Sequence, residues 1–457
     1  MREKNKVDTV IKTSIFDLFK IGPGPSSSHT IGPMKAAFHF RKQIEQLSDA
    51  VLAGVDGVRV TLYGSLSSTG KGHGTDRSTV GGLLGMEPAT CDPKLLSNLL
   101  KNKDDLYTLN LRGYNISIYP VVFGDQVHNF PYQNTMIIQL LSKEKPVLEK
   151  EYYSIGGGFI ECKGESKPER PEPVYSYSNM TELRLLLNRK NVDLSELMIQ
   201  NEMAITGESR RNIINGLDNI LKAMCDAVER GLNTTGILPG PIGLNRNAGL
   251  LLNRSHHLRH VPSRFIMLLN AYALAASEEN AQGNIVVTAP TSGASGVLPG
   301  IVYAAKKHHK TNQHLLRDGL LAAAVIGFII KHNASISGAE AGCQAEVGAA
   351  TAMGAAFLAH ANGYSIEVIE SSAEIGLEHQ LGMTCDPVLG YVQIPCIERN
   401  AVGAITAYNA FLLGMTGNTH SQKVTFDKVV EALKETGEDM CSKYKETAKG
   451  GLAITCC

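Results

Sequence analysis

The apolar residues of this chain change period once, and the change falls on a stretch that cannot itself bury a core. Residues 161–179, ECKGESKPERPEPVYSYSN, carry many charges and the prolines Pro168, Pro171 and Pro173. They break helix and strand alike and read as a linker. Upstream, GVRVTLYGSL sets Val58, Val60 and Leu62 against Arg59, Thr61 and Tyr63, the two-residue alternation of a half-buried strand. GYNISIYPV, NTMIIQLL and EYYSIGGGFI are likewise rich in β-branched and aromatic residues, with helical stretches expected near 33–47 and 76–86. Downstream, Ile213, Ile214, Leu217, Ile220, Leu221, Met224 and Val228 form one stripe at helical spacing. The expected architecture is an α+β amino-terminal domain over 1–165, a linker over 166–180 and a mostly α-helical carboxy-terminal domain over 181–457.

Further helices are expected at 264–280, 313–331, 340–361, 400–414 and 426–437. GAEAGCQAEVGAATAMGAA is crowded with small side chains, which let helix backbones approach closely. The longest apolar run, GLLAAAVIGFII, is shorter than the roughly 20 residues of a membrane span and reads as a buried helix. Lys plus Arg balance Asp plus Glu at 44 each, so no field of one sign draws the chain to nucleic acid or an anionic membrane. A small-molecule partner is expected. The charged start, MREKNKVDTVIK, lacks the pattern of a secretory signal, which points to the cytoplasm.

Nine cysteines form an odd set without the spacing of a disulfide framework. In a reducing compartment they are metal ligands, catalytic groups or packing residues. Cys343, Cys385 and Cys396 stand apart in the helical half, separated by 42 and 11 positions, which matches no zinc ribbon. Thiolates also hold iron-sulfur clusters, and a cubane with three protein ligands leaves one iron open as a Lewis acid. Buried packing thiols are the competing reading, and the one that suits Cys162 and Cys225. The chain ends in KGGLAITCC, where Cys457 offers a thiol and a carboxylate to an exposed iron; an idle frayed end is the alternative.

Two histidines lie in unusual settings. GPGPSSSHTIGP sets Ser27, Ser28 and His29 before a helix that Thr30 could cap and Pro33 could open, an arrangement able to hold a carboxylate. TGKGHGTDRS places His73 between two glycines, after a strand and before a helix that Thr75 or Asp76 could cap. His73 is the stronger candidate for proton transfer, with His29 for binding or a second proton. PTSGASG supplies Ser292, Gly293 and Ser295 for carboxylate binding, or an ordinary helix entry. Arg399 and Asn400, beside Cys396, could tune a metal site or meet substrate, or equally cap a helix or pair at the surface.

Together SIFDLFKIGPGPSSSHTIGP, YGSLSSTGKGHGTD, APTSGASGVLPG, GAEAGCQAEVGAA and CDPVLGYVQIPCIERNA resemble the bacterial iron-sulfur L-serine dehydratases in their single-chain form, over nearly all of the chain. The resemblance implies a β domain followed by an α domain and a homodimer active in amino-acid catabolism. It also implies a four-iron four-sulfur cluster held by Cys343, Cys385 and Cys396, and conversion of L-serine to pyruvate and ammonia. The competing functions are an amino-acid-binding regulator without catalysis, a pyridoxal-phosphate dehydratase and a related iron-sulfur hydro-lyase. A pyridoxal enzyme is disfavoured by the lack of an obvious cofactor lysine followed by a Gly-rich phosphate cup.

Overall fold

The structure, a computed structural model, describes residues 10–102, 106–166, 169–415, 422–448 and 450–455. It has the expected α+β half followed by a mostly helical half.

The sheet of the first half runs, in spatial order, Tyr107–Leu111, Tyr114–Ile118, Gly57–Gly64, Asn134–Ser142, Lys145–Ser154 and Ile160–Cys162. A short strand, Val122–Phe123, also pairs with Gly57–Gly64. That central strand runs antiparallel to Asn134–Ser142, with Val60 opposite Ile138, and parallel to Tyr114–Ile118. Val58, Val60 and Leu62 are fully buried while Arg59, Thr61 and Tyr63 are half-buried, as alternation demands. Helices Gly32–Glu45 and Thr75–Leu83 bury Met34, Ala37, Phe40, Val80 and Leu83 in the same core. Each such side chain contributes about 1.5–3 kcal/mol on leaving water. The GGG of EYYSIGGGFI is a turn between the last two strands, with Gly156, Gly157 and Gly158 all at positive φ.

In the second half, Arg210–Asn233, Val261–Gln282, Val297–His308, Gln313–Asn333, Val347–Ala361, Ile366–Glu378 and Cys396–Gly414 enclose one large core. Gln313–Asn333 is, among the described residues, the one helix long and apolar enough to cross a membrane, but it lies mostly inside the protein.

Three details differ from the sequence reading. Ile11, Ile15, Leu18 and Phe19, placed in the first domain by sequence, bury in the helical core. Strand Ile21–Pro23 pairs antiparallel with Ile285–Val287, stitching the chain's beginning to the second half. The helix expected over 340–361 is broken: Gly338–Ala341 and Cys343–Ala345 are single turns, and the long helix starts at Val347. Gly342 stands between the two turns at φ +74°, a conformation glycine adopts without Cβ strain. The break lifts Cys343 off a regular helix face.

Candidate active site

His29 sits in one π-helical turn, Ser27–Ile31, capped by Ser26, whose hydroxyl accepts from the His29 amide at 3.1 Å. Single π turns are frequent at functional sites because the widened turn redirects a side chain. Both His29 ring nitrogens are engaged. Nδ1 lies 2.8 Å from Ser28 Oγ and 3.2 Å from Glu446 Oε1, while Nε2 lies 3.0 Å from Ser65 Oγ. Thr30 caps nothing; its hydroxyl accepts from the Ser26 amide and donates to the His73 carbonyl at 2.9 Å. The helix after it starts at Gly32, with Pro33 in its first turn as expected.

His73 closes a short turn, Gly70–His73, and neither Thr75 nor Asp76 caps the helix that begins at Thr75. Its Nδ1 is 2.9 Å from the Thr69 carbonyl, which can only accept. Nδ1 therefore carries the proton and Nε2 the lone pair. Burial, then the charge of His29, push His73 down to about 4. The imidazole is thus neutral at physiological pH. Its ring centroid lies 4.6 Å from that of His29, and Gly72 packs so closely on the second half that a Cβ there would come 2.7 Å from the Gly390 carbonyl.

Glu446 completes this group, and the sequence reading missed it. It is buried at φ +46°, on the segment after Ser442–Tyr444. Ser28 donates to its Oε1 at 3.2 Å, and Ser65 donates to its main-chain carbonyl at 3.1 Å. Burial acts to raise this carboxyl, but the two histidines and the Ser28 hydroxyl outweigh it and hold it below the usual range. One ligand atom from each of His29, His73 and Glu446 lies within 4.8 Å of the others.

The cysteines form a second layer. Cys343 and Cys385 are buried and Cys396 opens the helix Cys396–Gly414. Burial raises all three thiols, Cys343 to about 11; the charge of Glu346 adds to the rise at each, and that of Cys343 at Cys385 and Cys396. Such thiols are not free nucleophiles, and only a bound cation would make thiolates of them. Cys385 Sγ lies 3.8 Å from Glu346 Oε2, and burial pushes Glu346 up to about 8. A Cβ at Gly338 would come 3.3 Å from Cys385 Sγ and 2.5 Å from Glu346 Oε2, so that glycine leaves the sulfur open on one side. Arg399 donates to the Thr384 carbonyl at 2.5 Å and lies 3.7 Å from Asp386, bracing the Cys385 loop. The Cys385 amide donates to the Tyr444 carbonyl at 2.7 Å, and the Thr447 amide to the Cys385 carbonyl at 3.2 Å. Glu446 therefore hangs between the cysteine loop and the histidines.

Of the serine loops, Ser27 Oγ accepts from the Ser292 amide at 3.4 Å, and a Cβ on Gly293 would stand 3.3 Å from Glu346 Oε1. Ser27, Ser292, Gly293, Glu346 and Cys385 thus converge. The hydroxyls of Ser292 and Ser295 are buried without a hydrogen-bond partner, a state that costs free energy unless a ligand or water meets them. Asn400 is spent on backbone: Oδ1 accepts from the Gly296 and Val297 amides at 2.8 and 3.2 Å, and Nδ2 donates to the Gly293 and Cys396 carbonyls at 2.8 and 2.9 Å. It builds the loop that sequence had it share with substrate. Cys457 lies outside the described residues. Cys225 is a buried packing residue and Cys162 is half-buried at the sheet edge.

A cleft of about 760 Å³ opens where the halves meet, lined by Asn134, Ser154, Ser337, Lys434 and Lys445 among others. Ser154 bonds the Ser28 carbonyl, Ser337 precedes Gly338 and Lys445 precedes Glu446, so its walls adjoin both layers. Ser65 and Glu346 lie inside motifs read from the sequence and Glu446 just before the KGGLAITCC tail, but nothing in the sequence singled out these three. Their burial is a product of long-range packing.

The family described as serine dehydratase beta chain matches residues 14–165, and that described as serine dehydratase alpha chain matches residues 189–453. L-serine dehydratase 1 of Escherichia coli K12 is 43% identical over 452 residues, covering 96% of this chain and 98% of the relative. L-serine dehydratase of Streptomyces coelicolor is 43% identical over 462 residues, with 96% and 98% covered, and that of Helicobacter pylori 26695 is 38% identical over 460, with 97% and 98% covered. The chain therefore belongs to the serine dehydratase family, its beta and alpha regions joined in that order in one polypeptide.

Proposed function

We propose that this protein is an L-serine dehydratase, a lyase that eliminates water from L-serine and yields pyruvate and ammonia. The observation that carries the reading is the convergence of a neutral, buried His73 with three buried thiols and unpartnered serine hydroxyls, in a family whose relatives carry that name.

The cofactor in this reading is a four-iron four-sulfur cluster held by Cys343, Cys385 and Cys396. The donor set fits: three sulfurs, free of disulfides, buried, mutually close and open on the Gly338 side. When bound, the cluster supplies an iron that acts as a Lewis acid toward the β-hydroxyl. Cys457 would be a further ligand to that iron in the resting enzyme; what supports this is that Asp386 Oδ2 accepts from the Leu452 amide at 2.8 Å and so holds Leu452 near the Cys385 loop.

The protein's own part is to bind, orient and move protons. Ser27, Ser28, Ser292, Gly293 and Ser295 line the place for the substrate carboxylate, with Thr30 and Asn400 fixing the loops around it. His73 Nε2, held free of protons, takes the α-proton, and the electron pair left behind expels the β-hydroxyl. His29 supplies the second proton, so that hydroxide leaves as water. The aminoacrylate product tautomerises to an imine, which water hydrolyses to pyruvate and ammonia.

The enzyme is further proposed to be a cytoplasmic homodimer. All the described cysteines are unpaired, as in a reducing compartment, and helix Cys396–Gly414 exposes Val402, Leu412 and Leu413, apolar surface that a second copy could cover. Anaerobic purification with iron and sulfide analysis, and pyruvate assay from L-serine and L-threonine in parallel, tests the proposal. Pyruvate from L-serine with bound iron is expected; full activity without iron overturns the cofactor, and absence of pyruvate overturns the reaction.

A further inference from the structure

The geometry points to Glu446 as a positioning residue: its carboxylate and its main-chain carbonyl, delivered from the carboxy-terminal segment, set the acceptors that both ring nitrogens of His29 face and so hold that ring as a proton donor.

The argument starts from donors and acceptors. The Ser28 hydroxyl has one hydrogen, and Glu446 Oε1 stands 3.2 Å away to receive it. Once Ser28 donates there, its oxygen is left to accept, and the group 2.8 Å from it is His29 Nδ1. Nδ1 must then bear the hydrogen. Glu446 Oε1 is also 3.2 Å from Nδ1 directly, and a carboxylate can only accept, which drives the same assignment. Glu446 acts on the other side as well: the one hydrogen of the Ser65 hydroxyl goes to its main-chain carbonyl at 3.1 Å, which leaves Ser65 Oγ to accept from His29 Nε2 at 3.0 Å. Both ring nitrogens therefore face acceptors and carry a hydrogen.

One residue from the end of the chain therefore addresses both nitrogens of a histidine near its beginning. A carboxylate beside an imidazole fixes ring orientation and favours the protonated ring. The local backbone supports a selected placement, because Glu446 sits at φ +46°, a region that non-glycine residues seldom occupy. Its Oε2 is buried without a hydrogen-bond partner, so one oxygen is left for something the site admits. Glu446 is not a catalytic residue in this scheme, for its recorded partners are Ser28, Ser65 and His29.

The kinetic arm of this inference rests on the dehydratase reading. Glu446→Leu keeps most of the volume and removes the acceptor, while Glu446→Gln keeps the shape and removes the charge. With anaerobically purified protein and L-serine, kcat is expected to fall about 10- to 100-fold in Glu446→Leu and by about tenfold in Glu446→Gln, with KM within about threefold. Bound iron should stay at the wild-type level. An independent arm uses protein labelled with ¹⁵N in histidine, whose ring-nitrogen shifts report which nitrogens carry a hydrogen; His29 signals are assigned by their loss in His29→Asn. Wild type should show both His29 nitrogens protonated, and Glu446→Leu the loss of one of these hydrogens. If Glu446→Leu does not fold, Glu446→Gln decides by the same readouts. Unchanged kcat with unchanged His29 signals overturns the inference. Should wild type make no pyruvate at all, the dehydratase reading falls, and the His29 signals alone decide the role of Glu446.

Discussion

Gly451 and Asp386 are fitted so closely that a Cβ on Gly451 would lie 1.8 Å from Asp386 Oδ2, and Gly451 holds φ +56°. Both facts exclude any larger residue without movement. Gly451→Ala should therefore undock the tail from the cysteine loop. A loss of about 1.4 kcal/mol in local opening free energy would speed proteolysis of the last residues about tenfold. Timed digestion with carboxypeptidase, followed by mass spectrometry, measures this; an unchanged rate would show the fit to be unimportant.

His73→Asn should abolish most turnover while leaving substrate binding nearly intact. General acid–base catalysis is commonly worth about 100- to 10,000-fold. Steady-state kinetics with L-serine should show that loss in kcat, with KM changed little, because the loops proposed to hold the carboxylate lie on other segments.

The depressed His73 also makes a statement about stability. In the unfolded chain its imidazole takes a proton near 6.5, in the folded protein only near 4. Between those values the unfolded state binds more protons, so stability is complete above about pH 6.5 and is lost as pH falls toward 4. The span corresponds to about 3 kcal/mol. Anaerobic thermal melts at pH 7 and pH 5 should show wild type losing stability on acidification and His73→Asn losing less.

Serine in place of Cys343, Cys385 or Cys396 should each remove bound iron and sulfide, whereas Cys91→Ser and Cys225→Ser should keep both. Metal analysis after anaerobic purification separates the two groups. Iron retained in all three single variants would remove these thiols from the cofactor site.

Asn400→Ala is expected to behave as a folding variant. It strips partners from the Gly296 and Val297 amides and from the Gly293 and Cys396 carbonyls. Leaving such buried groups unpaired costs about 3 kcal/mol in all. A lower melting temperature that parallels lost activity supports this; a raised KM at unchanged stability would return Asn400 to the substrate.

Much of the architecture could be read from periodicity, because a strand such as Gly57–Gly64 and a helix such as Arg210–Asn233 each bury one face. Ile21–Pro23 and Ile285–Val287 escaped, being three residues each and meaningful only when paired across the chain. Local rules also misassigned Thr30, whose hydroxyl suits a cap but was claimed by the His73 carbonyl. Cys343, Cys385 and Cys396 were legible through resemblance rather than spacing, since nothing in intervals of 42 and 11 brings them together. Glu446 was invisible: a charged residue in the polar stretch KYKETAK reads as solvated, and only long-range packing buries it.

His29 and the carboxylate beside it, Glu446, stand 417 positions apart in the sequence. A ribosome makes both histidines long before residue 446 exists. The histidine pair of a growing chain must wait for its carboxylate, so this group can be assembled only after most of the second half has been translated.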